Sequence, residues 1–262
     1  EREDQVVYGA LDYDLSPDTT LGLGLAYEKL DAKPCWQGLP RYSDGSDLKL
    51  SRSTCLGASW NHWDSERTSL FADVTHRLND SWALKVASMY THNSQHMQYA
   101  MGEGSVPVGS TQGASRLYSG LFDYDQDDYG FDANLDGHFQ AWGLEHEIIV
   151  GANASRAKSR DGYELINLTQ LYGITQDPFN PNPHIPKPGD SVYEKESYRG
   201  GPIPVTSDTR QFGTYATLRL KLAEPLTAVL GSRVSWYRNS SDSYTQAWDY
   251  WQRNRSQENG QV

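Results

Sequence analysis

Extended runs with a two-residue period recur along this chain, and they come in pairs. VVYGALDYDL (6–15) is followed by the tight turn SPDT and then TLGLGLAYEKL (20–30). TSLFADVTHRL (68–78) is followed by NDS and then WALKVASMYTH (82–92). DYGFDANLDGHF (128–139) leads through a short link to LEHEIIVGANASR (144–156). TRQFGTYATLRLKL (209–222) leads through AEP to LTAVLGSRVSWYRN (226–239). Apolar and polar residues that alternate over ten positions describe a strand with two unlike faces. The pattern predicts four hairpins and eight strands. Between the pairs lie long connections, at 31–67, 93–127, 157–208 and from 240 onward. Compact domains keep most connections short, so repeated long loops point to function.

The two faces of each strand are sharply unlike. Leu21, Leu23, Leu25 and Tyr27 oppose Gly22, Gly24, Ala26 and Glu28. Leu70, Ala72 and Val74 oppose Asp73, Thr75 and Arg77. Tyr129, Phe131, Ala133 and Leu135 oppose Asp132, Asn134 and Asp136. Ala216, Leu218 and Leu220 oppose Tyr215, Arg219 and Lys221. A cation at mid-depth on a lipid-facing strand costs roughly 2–4 kcal/mol, whereas on a wet interior face it costs little. The apolar faces are therefore assigned to lipid and the polar faces to an enclosed lumen. Short turns at one end and long loops at the other match the periplasmic and extracellular ends of an outer-membrane barrel. Tyr13, Trp82, Tyr90, Phe139, Trp142, Trp236 and Tyr237 are expected in the interfacial girdles.

Composition agrees. Only 37% of the 262 residues are hydrophobic, yet there are 17 Tyr and 8 Trp, rings suited to boundaries that are wet on one side. Mean hydropathy is −0.70 and no stretch approaches a spanning helix, which leaves a strand-built membrane protein open. A net charge of −11 excludes the basic footprint of a nucleic-acid binder. If the short turns are periplasmic, both ends of the segment are extracellular. The chain begins EREDQ, with neither an initiator Met nor a signal peptide, and ends RSQENGQV, which resembles no closing strand. It is read as an internal slice of a larger barrel. The alternative is a secreted all-β carbohydrate-binding domain, with two sheets enclosing an apolar core.

Signatures of hydrolases, zinc proteases and P-loops are absent. His92 and His96 are four apart at the expected end of a strand, and a rim role is expected there rather than zinc. The acidic run FDYDQDDYGFD (122–132) lacks calcium-loop spacing and is read as a solvated loop edge entering a lumenal face. Cys35 and Cys55 share one irregular stretch, and in an oxidising compartment they are expected to form a disulfide rather than remain free thiols. The same stretch carries Trp36, Arg41, Tyr42, Arg52, Trp60 and Trp63. Exposed aromatic rings beside Arg suit a ligand with flat faces and anionic oxygens. An equally open reading is that these rings fold the loop upon itself.

The segments YGALDYDLSPDTTLGLGLAYEK, WQGLPRYSDGSDLKLSRSTCLGASWNHWD, SLFADVTHRLNDSWALKVASMYT and LEHEIIVGANASRAKS resemble TonB-dependent ferric-siderophore receptors, in the branch with ferric-pyoverdine and ferric-coprogen or hydroxamate receptors. The WQGLPRYSDGS loop, followed by RST and WNHWD, is the distinctive part. The resemblance implies an all-β fold: an antiparallel transmembrane β-barrel segment with long extracellular loops, about eight strands of a barrel of about 22. It implies that residues 1–262 are one partial barrel domain, with the plug and the C-terminal strands absent. It also implies uptake rather than enzymatic chemistry, and location in the bacterial outer membrane amid lipid and lipopolysaccharide. The partners would be a ferric siderophore, with the iron held by the chelator and no protein cofactor, and TonB acting through the plug. The family's loop aromatics fall on Trp36 and on Trp60 or Trp63. Arg41 and Tyr42 join the expected ligand-binding set from composition, and Arg52 or Arg116 are further candidates for an anionic ligand.

Overall fold

The computed structural model describes residues 2–36, 38–196 and 203–243. The strands are β1 (Arg2–Ser16), β2 (Thr19–Ala32), β3 (His62–Asn79), β4 (Trp82–Glu103), β5 (Ser115–Ala141), β6 (Leu144–Asn167), β7 (Thr175–Gln176), β8 (Ile203–Ala223) and β9 (Leu226–Ser243). Two short helices, α1 (Leu168–Tyr172) and α2 (Asp190–Glu196), lie between β6 and β8. Among the described residues these nine strands form one antiparallel sheet in the order β1-β2-β3-β4-β5-β6-β8-β9, with β7 paired to β5. Among the described residues the sheet does not close.

Each expected hairpin is present, with its tight turn. In the β5–β6 turn, Trp142 and Gly143 have φ of 51° and 72°. This left-handed pair is what a two-residue hairpin loop needs to match the strand twist. Ala141 then faces Leu144 directly.

Residues in direct register share a face. One row across the sheet reads Leu21, Val74, Val86, Ala133, Ala152, Thr214 and Val234. The adjacent row, on the other face, reads Thr20, Thr75, Lys85, Asn134, Gly151, Tyr215 and Arg233. Among the described residues no second sheet covers the apolar rows: Leu11 is 60% exposed and Leu230 58%. A contiguous apolar surface of this extent is not stable in water. It is the lipid-facing band of a barrel wall, and a two-sheet sandwich is excluded.

The polar rows hydrogen-bond among themselves. Tyr215 donates to Asp132 at 3.0–3.1 Å, and Arg233 donates to Asn153 at 2.9 Å. The bare glycine side of β2 has a steric reason. A Cβ on Gly22 would lie 2.6 Å from Asp73 Oδ1, so the glycine leaves room for lumenal carboxylates.

Three expectations are corrected. The strands are longer than their alternating cores: β4, β5 and β6 run to 22, 27 and 24 residues, well past the ~9–11 that span a bilayer. The connection expected over 93–127 shrinks to 104–114, and the others to 33–61 and 168–202. His92, His96 and the acidic run consequently lie inside strands. His92 and His96 face Asp127 and Asp123 on the outward side, and no loop edge is formed. Tyr237, expected in a girdle, lies on the lumenal side in register with Gln211. The connection expected from 240 onward falls outside the described residues from 244.

Candidate functional site

Beyond the bilayer the strand extensions carry a second apolar patch, now on the lumenal face. β4 contributes Met97, Tyr99 and Met101; β5 contributes Tyr118 and Phe122; β6 contributes Tyr163 and Leu165; β3 contributes Trp63. Their alternation and register place all of them on the side of Lys85 and Asn134. Tyr99 is the centre, at 2% exposure. Its ring lies across Gly120, where an added Cβ would come within 2.4 Å, so only glycine seats it. The Tyr99 and Tyr163 hydroxyls are hydrogen-bonded at 3.1 Å. Burial, reinforced by this hydrogen bond, raises the Tyr99 pKa above its ordinary value, so the phenol stays neutral.

Over this floor lies Trp36, with ring centroids 5.1 Å from Tyr99 and planes inclined by 37°. Trp36 remains 39% exposed. Two devices fix its backbone. Cys35 is disulfide-bonded to Cys55, with a Cα–Cα distance of 5.5 Å. The Asn61 amide donates to Pro34 O at 3.0 Å and to Ala100 O at 3.2 Å, and accepts from Ala100 N at 2.8 Å and Ala58 N at 3.2 Å. Further down the same lumenal face, Asp161 has a carboxylate oxygen without a hydrogen-bond partner, and desolvation raises its pKa.

Of the residues singled out in the sequence, Trp36 and Trp63 come together at this patch. Arg41 and Tyr42 do not join it. Arg41 donates to Gly45 O at 3.1 Å, Tyr42 donates to Ser110 O at 3.3 Å, and their backbones pair with Val106. They tie the 33–61 loop to the 104–114 loop. Trp60 lies on the opposite, outward face. Its Nε1 donates to Ile185 O at 2.7 Å, and its ring packs on a cluster that includes Ala100, Leu117, Ile166, Leu168 and Tyr193. Neighbours three residues apart here serve opposite faces because Asn61 turns the chain into β3. Arg52 and Arg116 are exposed, and Arg116 lies on the lumenal face of β5 two positions from Tyr118, in register with Glu103.

The outward cluster is roofed by the 168–196 segment. α1 begins at Asn167, which caps Gln170 N, and ends at Gly173 in the left-handed conformation. Tyr193 of α2 is fully buried, bonded to Ser119 Oγ at 2.5 Å and to Gln98 Nε2 at 3.2 Å. Among the described residues no group of three or more His, Cys, Asp or Glu could hold a metal ion. The arrangement offers neutral aromatic faces and hydroxyls at a lumenal mouth, which suits capture of a flat ring by stacking.

Tyr99, Tyr118 and Tyr163 were missed in the sequence because both faces of their strands are covered, and Phe122 because the faces exchange polarity there, with Asp123 and Asp125 exposed on the outward side. The available signal was Met97, Tyr99 and Met101 at even spacing, continuing the β4 period.

Residues 12–261 match the family model described as TonB dependent receptor-like, beta-barrel. The chain is 54% identical over 242 residues to the ferric-pyoverdine M114 receptor PbuA of Pseudomonas sp. (strain M114), covering 92% of this chain and 29% of that protein. It is 33% identical to the ferripyoverdine receptor of Pseudomonas aeruginosa, over 91% of this chain and 28% of that one. The solved pyoverdine outer membrane receptor FpvA from Pseudomonas aeruginosa PAO1, bound to pyoverdine, superposes with a TM-score of 0.80 at 29% identity, covering 93% of this chain and 34% of that chain. The chain thus spans under a third of the length of the curated relatives it matches.

Proposed function

The chain belongs to the TonB-dependent receptor-like β-barrel family, and from that premise we propose that it forms part of the wall of a receptor that captures a ferric siderophore of the pyoverdine type. The barrel lies in the bacterial outer membrane. The ligand rests on the lumenal patch around Tyr99, with Trp36 as its exposed stacking face and Trp63 beneath. The observation that carries this reading is the Trp36–Tyr99 pair held at the lumenal mouth by a disulfide and by Asn61. Names borne by the relatives supply the cargo class, since PbuA and the Pseudomonas aeruginosa protein are both ferripyoverdine receptors.

Iron enters as part of the cargo, coordinated by the chelator. The work is capture and passage, without bond-making in the ligand. In the whole receptor, residues 1–262 form one section of the barrel domain. A plug fills the lumen, further strands complete the wall, and TonB acts on the plug. Lipid and lipopolysaccharide surround the outward band. Arg41 and Tyr42 act by holding two loops together, and Trp60 by anchoring the outward roof, so none of the three is assigned to the ligand surface.

The test is a tryptophan-fluorescence titration of the intact receptor with ferric pyoverdine. Losing an aromatic contact worth about 0.5–1.5 kcal/mol beyond its area should weaken binding by up to about tenfold in Trp36→Ala. Trp60→Phe, on the far face, should leave the dissociation constant unchanged. An unchanged constant in Trp36→Ala removes Trp36 from the site.

A further inference from the structure

Asp161 is a carboxylate that stacking on Trp36 leaves unused. Its Oδ1 is closed off from solvent and has no hydrogen-bond partner. Asp161 stands on the lumenal face of β6, two positions below Tyr163, and so roughly 7 Å of strand from the aromatic floor. Aromatic residues flank it. Tyr124 is its register partner on β5, and the Phe122 ring lies nearly parallel to the Tyr124 ring, with centroids 6.2 Å apart and planes inclined by 11°. Phe122 in turn meets Tyr163 edge-on at 6.5 Å. The Tyr163 hydroxyl is bonded to that of Tyr99, against which Trp36 rests. One continuous set of rings therefore runs from the exposed stacking face down to this acid.

A carboxylate removed from water is costly unless it is paired and hydrogen-bonded. Among the described residues no cation of the wall fills that role. The register partner on β8 is Val205, and the next lumenal positions on β5 and β8 are Gln126 and Ser207. Arg160, the sequence neighbour, points to the outward face, as strand alternation requires. Arg67 on β3 acts on the Tyr124 phenol, whereas burial alone accounts for the raised Asp161 carboxyl. Asp161 as a whole is only half-buried, so a ligand in the lumen has access to the residue. A half-turn of the carboxylate exchanges its two oxygens, and a donor arriving from the lumen can engage either.

We propose that Asp161 is a specificity-determining residue of the capture surface, accepting a hydrogen bond from an ammonium or guanidinium group that the cargo carries beside its flat ring. The inference rests on the capture reading given above and adds to it the charge of the group recognised. Aromatic faces discriminate little between one flat ring and another. A desolvated carboxylate is more demanding, because a cargo without the cation leaves it unmet. The phenols and neutral side chains around Asp161 offer an anionic group no countercharge, so the selected charge is positive.

The test uses the intact receptor in detergent and the variant Asp161→Asn, which keeps the size of the side chain and removes its charge. The probes are a ferric pyoverdine that carries a free amine and the same chelate with that amine acetylated. Wild type should prefer the free amine by about tenfold or more, the strength of a hydrogen bond to a charged group. The variant should bind the acetylated chelate as wild type does, and its preference for the free amine should be no more than about twofold. Asp161→Ser should give the same pattern and serves if the Asn variant does not assemble. A variant that keeps the wild-type preference overturns the inference. So does one that weakens both chelates equally, because the carboxylate then serves the wall or the plug rather than the cargo. Wild type binding both chelates alike removes Asp161 from the recognition surface and leaves capture standing. Wild type binding neither removes capture and this inference together.

Discussion

Tyr99 is enclosed to 2% exposure, yet its hydroxyl still reaches Tyr163. A phenol held this way binds its proton more tightly than in the unfolded chain, where the ordinary value is 10.0. The folded state therefore keeps a proton that the unfolded state loses as the pH passes that value. Stability from this group is full below pH 10 and declines as the pH rises above it, by at most about 1.4 kcal/mol per pH unit. Many other tyrosines ionise in the same range, so the informative quantity is a difference. Tyr99→Phe should cost about 1 kcal/mol at neutral pH, for the lost hydrogen bond. It should then fall less steeply than wild type between about pH 10 and about pH 11 in urea unfolding of the intact receptor. Parallel slopes would show that Tyr99 ionises as freely in the folded protein as outside it.

Strand by strand, the sequence was legible wherever one face met lipid and the other met water. β5 from Tyr129 to Phe139 is such a stretch, and its alternation gave strand and orientation at once. Above Asp128 the rule breaks for a physical reason. Met97, Tyr99 and Met101 face the lumenal patch, while Gln98 and Ala100 face the roof made by the 168–196 segment and Gly102 faces Leu56 of the 33–61 loop. A strand covered on both sides has no polar face to alternate with. So the extensions read as loop, and four of the site's aromatic residues were lost with them. Trp36 was found through composition and family likeness. Trp60 resembled it in both respects, and only the turn at Asn61 separates their faces. Adjacent positions of one strand test the orientation. Ala133 lies mid-row on the apolar face and Asn134 on the lumenal face. Ala133→Arg should cost about 2–4 kcal/mol on folding into lipid bilayers and reduce assembled, heat-modifiable receptor, while Asn134→Arg should cost little. The reverse order would turn the wall inside out.

Across the whole molecule the two faces of one sheet exchange environments with height. In the bilayer the outward face is apolar and the lumenal face charged. Beyond it the lumenal face becomes aromatic, and the outward face is charged or roofed by loop. The barrel wall can thus be stabilised by lipid while its upper extension is stabilised by its own loops, so the site should be separable from the wall. Asn61 is where the two join. Its amide pairs with both backbone groups of Ala100, continuing the β3–β4 ladder one step past His62, and it also holds Pro34 O beside Cys35. The disulfide closes the same loop over a separation of 20 residues, a constraint worth roughly 3 kcal/mol in the chain-entropy model. That figure concerns the unfolded loop, whereas the Asn61 bonds are made only when Trp36 is in place. Asn61→Ala leaves the Ala100 N–H and C=O without partners in a buried setting, at about 1–3 kcal/mol each. Reduction of Cys35–Cys55 strands no polar group. Ferric-pyoverdine affinity of the intact receptor should therefore fall further in Asn61→Ala than in reduced wild type, with bilayer insertion and heat-modifiable mobility preserved in both. If reduction alone abolishes binding while Asn61→Ala retains it, the covalent link rather than the amide ladder sets the position of Trp36.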